Sequence, residues 1–117
     1  MNLKNIFYPL LLICFIGCAP KSIFYWGDYS ETLYDYKKNP DEKTLAAHEK
    51  SLQDIITASP KKHKQVPPGV YAEYGFLLIK DGKEQEGLVY FDKEATLYPE
   101  SIVFIQRLKD ELARGKK

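Results

Sequence analysis

Between residues 70 and 99 the chain sets Gly75 and Gly87 among large aromatic and aliphatic side chains at fixed steps, and this stretch leaves few folds open. Tyr71, Tyr74, Gly75 and Leu78 come first, Gly87 and Phe91 follow, and Pro99 stands eight residues after Phe91. Two readings compete. Val, Tyr, Phe and Ile are abundant, and Asp81-Gly82 lies between two apolar runs, which is a β-hairpin signal. In the other reading two helices cross. Gly75 and Gly87 are then small where the helices touch, and Tyr71, Tyr74, Leu78 and Phe91 fill the space around them.

The longer pattern decides for helices. Tyr71, Tyr74, Gly75 and Leu78 resemble the first half of a tetratricopeptide repeat, Gly87 and Phe91 resemble its second half, and Pro99 falls where the repeat ends. Glu94 departs from the Ala that the repeat prefers, which is expected to weaken packing against a following helix. Trp26, Tyr29, Ser30 and Leu33 repeat the spacing of Tyr71, Tyr74, Gly75 and Leu78, and Pro60 follows Leu52 by eight. That first copy is degenerate, because the connection between its helices is longer than the repeat allows. Asn39, Pro40 and Glu42 read as the cap, first turn and capping-box residue of its second helix, which is expected to stop near Ser59 before Pro60. Ile102, Ile105, Leu108 and Leu112 mark a last amphipathic helix. The expected fold is all-α: a tetratricopeptide-like body over residues 25–117, two helix pairs plus a C-terminal capping helix. Such stacks are usually stable only from about three units. Either the aromatic side chains build an unusually good core or a partner completes it.

The first eighteen residues carry a different signal. Lys4 precedes residues 6–16, an apolar run of eleven that ends in Phe15, Ile16, Gly17 and Cys18. A bilayer-spanning helix takes about 20 residues, so the run has the length of a signal peptide. Its end resembles the lipobox of bacterial lipoproteins, in which a small residue precedes a cysteine whose thiol takes the lipid. The expectation is a signal peptide over residues 1–17, lipid on Cys18 and a tether over 18–24. An uncleaved membrane helix or a buried core helix are the alternatives. Ala19, where Asp tends to retain such proteins at the inner membrane, favours the periplasmic face of an outer membrane.

Cys18 to Ser22, then Tyr25-Trp26-Gly27, Val66-Pro67-Pro68-Gly69-Val70-Tyr71-Ala72 and Tyr98-Pro99-Glu100-Ser101 resemble the small bacterial lipoprotein family called domain of unknown function 4810. The resemblance covers nearly all of residues 18–117. It implies a component of an envelope lipoprotein assembly, encoded beside two other lipoproteins, one similar to the curli-secretion pore family.

Composition narrows the function classes. Losing residues 1–17 removes one of 17 Lys and Arg and leaves the remainder equal to the 16 Asp and Glu. A neutral body lacks the basic face of a general nucleic-acid binder. Cys14 lies within the apolar run, and the two cysteines have no second pair or nearby histidine to make a metal site. No nucleophile motif, zinc-binding HExxH or phosphate loop is present, so no enzyme activity and no cofactor are expected. His48 reads as a packed histidine and His63 as a solvated one. The lysines of residues 61–64 form the one concentrated basic patch. They read either as a solvated loop or as an attraction for anionic lipid or a polyanionic envelope polymer.

By the repeat resemblance, Ala72, Phe76 and Ile79, with Glu31 and Tyr34 of the first pair, face an inner groove. Phe76 and Ile79 are larger and more apolar than an unused groove needs. They bind a partner, or the tether or last helix folds over them. The functional expectation is a lipid-anchored, non-enzymatic adaptor that contacts other envelope lipoproteins, as a homo- or hetero-oligomer. The alternative is a periplasmic regulator of cell-wall enzymes acting by contact.

Overall fold

The structure, a computed structural model, describes residues 22–116 and Gly17. Residues 1–16 of the expected signal peptide, and Cys18 with residues 19–21 of the expected tether, lie outside the described residues. The described chain is all-helical: α1 (Tyr29–Lys38), α2 (Glu42–Lys61), α3 (Val70–Lys80), α4 (Glu84–Leu97), a 3-10 turn (Pro99–Ser101) and α5 (Ile102–Arg114). The Asp81-Gly82 pair closes a helix and turns no hairpin. Gly82 takes a φ of +83°, and Lys83 N–H reaches back to the Leu78 carbonyl at 2.9 Å. This is a Schellman end, in which a left-handed residue satisfies the last orphan carbonyls.

The connections between α1 and α2 and between α3 and α4 each take three residues. The expected long first connection is therefore absent. The excess sits in α2 itself, which has 20 residues against 14 in α4. The start of α2 also differs from the expected one. Asp41, not Asn39, is the N-cap. Its carboxylate accepts from Thr44 N–H at 2.8 Å and Asp41 N–H donates to Thr44 Oγ1 at 3.2 Å, so Thr44 completes the box and Glu42 does not. Pro40 precedes the helix. At the other end α2 runs two residues past Ser59. In the last turn Pro60 forfeits one hydrogen bond only, and Ser59 Oγ donates to the Ile55 carbonyl at 2.7 Å. Pro60 and Pro99 are thus not equivalent, since Pro99 opens a 3-10 turn.

The central hairpin, α3 with α4, is held by its glycines. A Cβ on Gly75 would lie 2.7 Å from the Gly87 carbonyl oxygen. One on Gly87 would lie 2.5 Å from the Gly75 carbonyl oxygen and 2.5 Å from Ile79 Cγ1. Tyr74 meets Tyr90 edge-on at 4.8 Å between ring centres, a favoured aromatic geometry. From this hairpin two cores extend. One joins Leu52 and Ile55 of α2 to Val66, Val70, Tyr74 and Leu78. The other joins Ala72 of α3, Phe91 of α4 and Ile105 of α5, with Phe76, Ile79, Leu108 and Leu112 packed on it. Ion pairs Asp92–Lys109 (2.8 Å) and Glu84–Lys116 run α5 antiparallel to α4. Helix α1 contributes no buried residue. Trp26 lies before it and is 40% exposed, not part of the packed face, because Gly27 (φ +47°) interrupts the helical backbone there.

Alanine at Gly75 or Gly87 gains about 1 kcal/mol of helix propensity but forces two backbones apart. Overpacking of this kind costs typically 1–3 kcal/mol, occasionally more. Each variant is expected to be less stable by about 2 kcal/mol in chemical denaturation. Gly115→Ala is the control: the nearest atom to its new Cβ is 3.6 Å away, and this variant should be neutral or slightly stabilised.

Candidate functional site

The groove expected on α3 exists only in part, and α5 is its other wall. Ala72 is buried in the second core, so it lines the floor and offers no free side chain. The reason is that α5 lies beside α3, and Ala72 shares one core with Phe91 and Ile105. Phe76 is half-buried on the same core. It opens into an apolar cavity of about 350 Å³ shared with Gly69, Ala72, Glu73, Phe104 and Leu108. Ile79 is half-buried further along α3, beside a second cavity of about 360 Å³ that Phe76, Leu108, Glu111 and Leu112 also line. Tyr34 is 63% exposed on α1, under Lys38, and Glu31 is exposed. Neither lines these cavities. The structure therefore brings Ala72, Phe76 and Ile79 together and leaves Tyr34 apart.

The wall that sequence reasoning missed is the first turn of α5. Ile102, Val103 and Phe104 are 54%, 63% and 56% exposed. A capping helix needs one apolar residue per turn on its inner face, and Ile105 supplies it. Val103 and Phe104 beside it were the legible signal of a second apolar face, and Ile102, expected on the inner stripe with Ile105, is exposed instead.

The remaining repeat positions divide by depth. Tyr74, Gly75, Leu78, Gly87 and Phe91 are buried, Tyr29, Leu33 and Tyr71 are half-buried, and Pro99 is exposed.

Glu94 is buried, and it takes a part that the repeat pattern does not give it. Its Oε1 accepts from Gly69 N–H at 2.7 Å, and the Tyr71 and Ala72 amides also act to hold its charge. Gly69 is the N-cap of α3 at φ +90° and has no capping side chain. A carboxylate from the neighbouring helix serves the orphan amides that an N-cap would serve. Beside it Tyr98 Oη donates to the Val66 carbonyl at 2.7 Å. The Val66-Pro67-Pro68-Gly69 block is thus pinned to α4 at two points. Burial outweighs the amides and pushes the Glu94 carboxyl above its ordinary value.

A polar cluster ties α1, α2 and α3. His48 is buried, with Nδ1 2.9 Å from Thr32 Oγ1 and Nε2 2.7 Å from Glu73 Oε1. Tyr29 Oη donates to Glu73 Oε2 at 2.7 Å. A carboxylate only accepts, so His48 Nε2 carries a proton toward Glu73. Thr32, His48 and Glu73 stand in the order of a hydroxyl–imidazole–carboxylate relay. Yet the Thr32 hydroxyl also lies within bonding distance of the Asp28 and Tyr29 carbonyls, and neither Thr32 nor His48 lines either cavity. Burial, then Glu73, pushes the Tyr29 phenol up to about 12. Among the described residues no group of three His, Cys, Asp or Glu could hold a metal ion. No helix among them is long and apolar enough to cross a membrane.

Two substitutions test these pins. The raised Glu94 value means that its protonated form stabilises the fold below the ordinary Glu range, and that this contribution is lost as pH rises through the raised value. Glu94→Gln keeps an acceptor for Gly69 without the charge. It should match the native protein in acid and exceed it at pH 7 by denaturation midpoint. Glu94→Ala, which strands the Gly69 amide, should lose about 1–3 kcal/mol. For Tyr29 the raised value likewise makes its contribution complete below pH 10 and lost between pH 10 and 12. The stability advantage over Tyr29→Phe should be about 1 kcal/mol at pH 8, discounted for solvent screening at this half-buried site, and vanish by about pH 12.

Residues 23–108 match the family model described as Domain of unknown function (DUF4810). No curated protein and no solved structure matches the chain.

Proposed function

The chain belongs to this family, domain of unknown function 4810, and on that premise we propose that it is a lipid-anchored, non-enzymatic adaptor. It would sit at the periplasmic face of an outer membrane, fastened through lipid on Cys18, and hold other envelope lipoproteins in one assembly. A lipoprotein similar to the curli-secretion pore family is the foremost partner. The observation that carries the reading is the apolar groove between α3 and α5. Phe76, Phe104 and Leu108 wall it, and Ile102 and Val103 are exposed in the same turn of α5 as Phe104. Contiguous exposed apolar surface of this kind marks interaction sites, and aromatic anchors commonly dominate binding energy.

The body is read as tetratricopeptide-like. Two helical hairpins with equal three-residue connections, a glycine crossing in the second and a last helix antiparallel to α4 support that reading. In such a stack α3 and α5 are first helices of successive units, and the surface between them is the concave one. A short stack lacks the neighbours that stabilise longer ones, so a partner in the groove also completes the fold. The Thr32–His48–Glu73 cluster is read as structural, since its hydroxyl sits mid-helix and its imidazole is sealed from solvent.

Phe104 is the residue to change, because Phe76 is shared with the core. Phe104→Ala should weaken partner capture by about 2 kcal/mol, roughly thirtyfold, with an unchanged melting curve. The measurement is a crosslinked pull-down from intact cells with mass spectrometry. Enrichment of one or two outer-membrane lipoproteins that Phe104→Ala loses is the expected result. Enrichment of inner-membrane wall enzymes would replace the adaptor with a regulator of those enzymes. Recovery of this chain alone would remove the groove from the account.

A further inference from the structure

The point where the tether meets the body is built against the basic loop. Residues 22–24 run beside residues 64–66: Gln65 N–H donates to the Ile23 carbonyl at 3.1 Å, and Phe24 and Gln65 form a parallel bridge. Ser22 closes this end by donating from Oγ to the Phe24 carbonyl at 2.9 Å. Ser22, Ile23, Lys62, His63, Lys64 and Gln65 share one open hollow of about 720 Å³.

The loop is held in shape. α2 ends in a second Schellman motif, with His63 at φ +53°, Lys64 N–H on the Ser59 carbonyl at 2.9 Å and His63 N–H on the Pro60 carbonyl at 3.1 Å. That turn spreads Lys61, Lys62 and Lys64 over the end of the helix. Among the described residues no carboxylate pairs with any of the three; the ion pairs lie elsewhere. Lys62 Nζ stands 5.0 Å from the centre of the Tyr25 ring, which carries the charge toward the tether. Lysines at a helix C-terminus complement its dipole, but the effect is confined to the last turn. It gives no reason for Lys64 beyond the turn, nor for the apolar side chain of Ile23, 64% exposed in the same hollow.

Chain length supplies the occupant. From Ser22 back to Cys18 is four residues, at most about 14 Å fully extended. If acyl chains on Cys18 enter a bilayer, the loop is confined to the depth of the headgroups. Three unpaired lysines there match anionic phosphate, and an exposed isoleucine matches the boundary beneath it.

We propose that Lys61, Lys62 and Lys64, with Ile23, form a docking surface for an anionic phospholipid bilayer. Docking would give the anchored body a fixed orientation. This rests on the lipid-anchor reading and adds to it. Gly69, where the α3–α5 groove begins, lies a few residues beyond the docked loop, and Ile79 and Leu112 lie at the groove's other end. The groove would therefore rise away from the membrane, open to a neighbour in the same plane.

Trp26, the chain's single tryptophan, lies two residues past the bridge and is partly exposed, so it reports the approach of a membrane. The full-length protein, isolated from membranes as the cell processes it, is mixed with vesicles of phosphatidylcholine, with or without phosphatidylglycerol. Trp26 quenching by acrylamide and co-sedimentation are both read. The expected result is co-sedimentation with both vesicles, and Trp26 shielded severalfold only where phosphatidylglycerol is present. Shielding should fall in 0.5 M salt and in Lys61→Gln/Lys62→Gln/Lys64→Gln, and persist in the triple Arg variant, with all variants folded by circular dichroism. Each lysine contributes about fivefold in affinity near an anionic surface. Co-sedimentation with both vesicles and equal Trp26 quenching in both would overturn the docking surface and leave the anchor standing. Binding to anionic vesicles alone, lost in the Gln variant, would keep the docking surface and remove the anchor. Failure to sediment with either would remove both.

Discussion

The backbone contact between Gly75 and Gly87 is the constraint on which the rest of the molecule depends. A side chain at either position would meet the opposing carbonyl within 2.7 Å. Because neither has one, α3 and α4 approach closely enough for their larger neighbours to interlock around the crossing. Phe91 is then fully enclosed, and α3 is exposed on two sides to two different partners. Tyr74 and Leu78 turn to α2, while Ala72 and Phe76 turn to α5. One helix shared by two cores lets a chain this short be one body, where surface-to-volume scaling leaves small domains marginal.

Polar pins complete what the apolar contacts begin. Gly69 takes the left-handed backbone that starts α3, and it brings no side chain to cap the helix. Glu94 reaches across from α4 to do so, and Tyr98 holds the preceding carbonyl of Val66. At the other side Glu73 takes bonds from both His48 and Tyr29. Helix α1, with no buried residue of its own, is held to α3 through this carboxylate. Apart from Glu94 Oε2, which is buried without a hydrogen-bond partner, these groups are buried or half-buried with partners, the condition under which buried polar groups strengthen a fold.

The two surfaces proposed to act in function follow from this frame. The groove exists because α5 returns along α3 and leaves Phe104 at its edge. The basic loop faces the tether because the Schellman end of α2 turns residues 64–66 against residues 22–24. One body would thus separate the two proposed tasks, with the end near Ser22 toward a membrane and the α3–α5 side toward a partner.

The glycine spacing of residues 75 and 87 and the apolar stripes made the helices legible, because local periodicity records which face each helix buries. Boundaries were less legible. Thr44 outcompeted Glu42 for the cap, and Pro60 was tolerated in a last turn that loses only one bond. The role of Glu94 was hidden, since the sequence marks it as a misfit in one helix while its amide partner Gly69 lies 25 residues away. Phe104 was in plain view as an extra apolar residue, yet only the path of α5 places it against Phe76. The sequence alone determined the all-helical class and the residues at the central crossing, because these depend on short-range spacing and side-chain volume. The groove, the cap from a neighbouring helix and the basic loop beside the tether were decided by tertiary structure alone, because each joins groups that no local period relates.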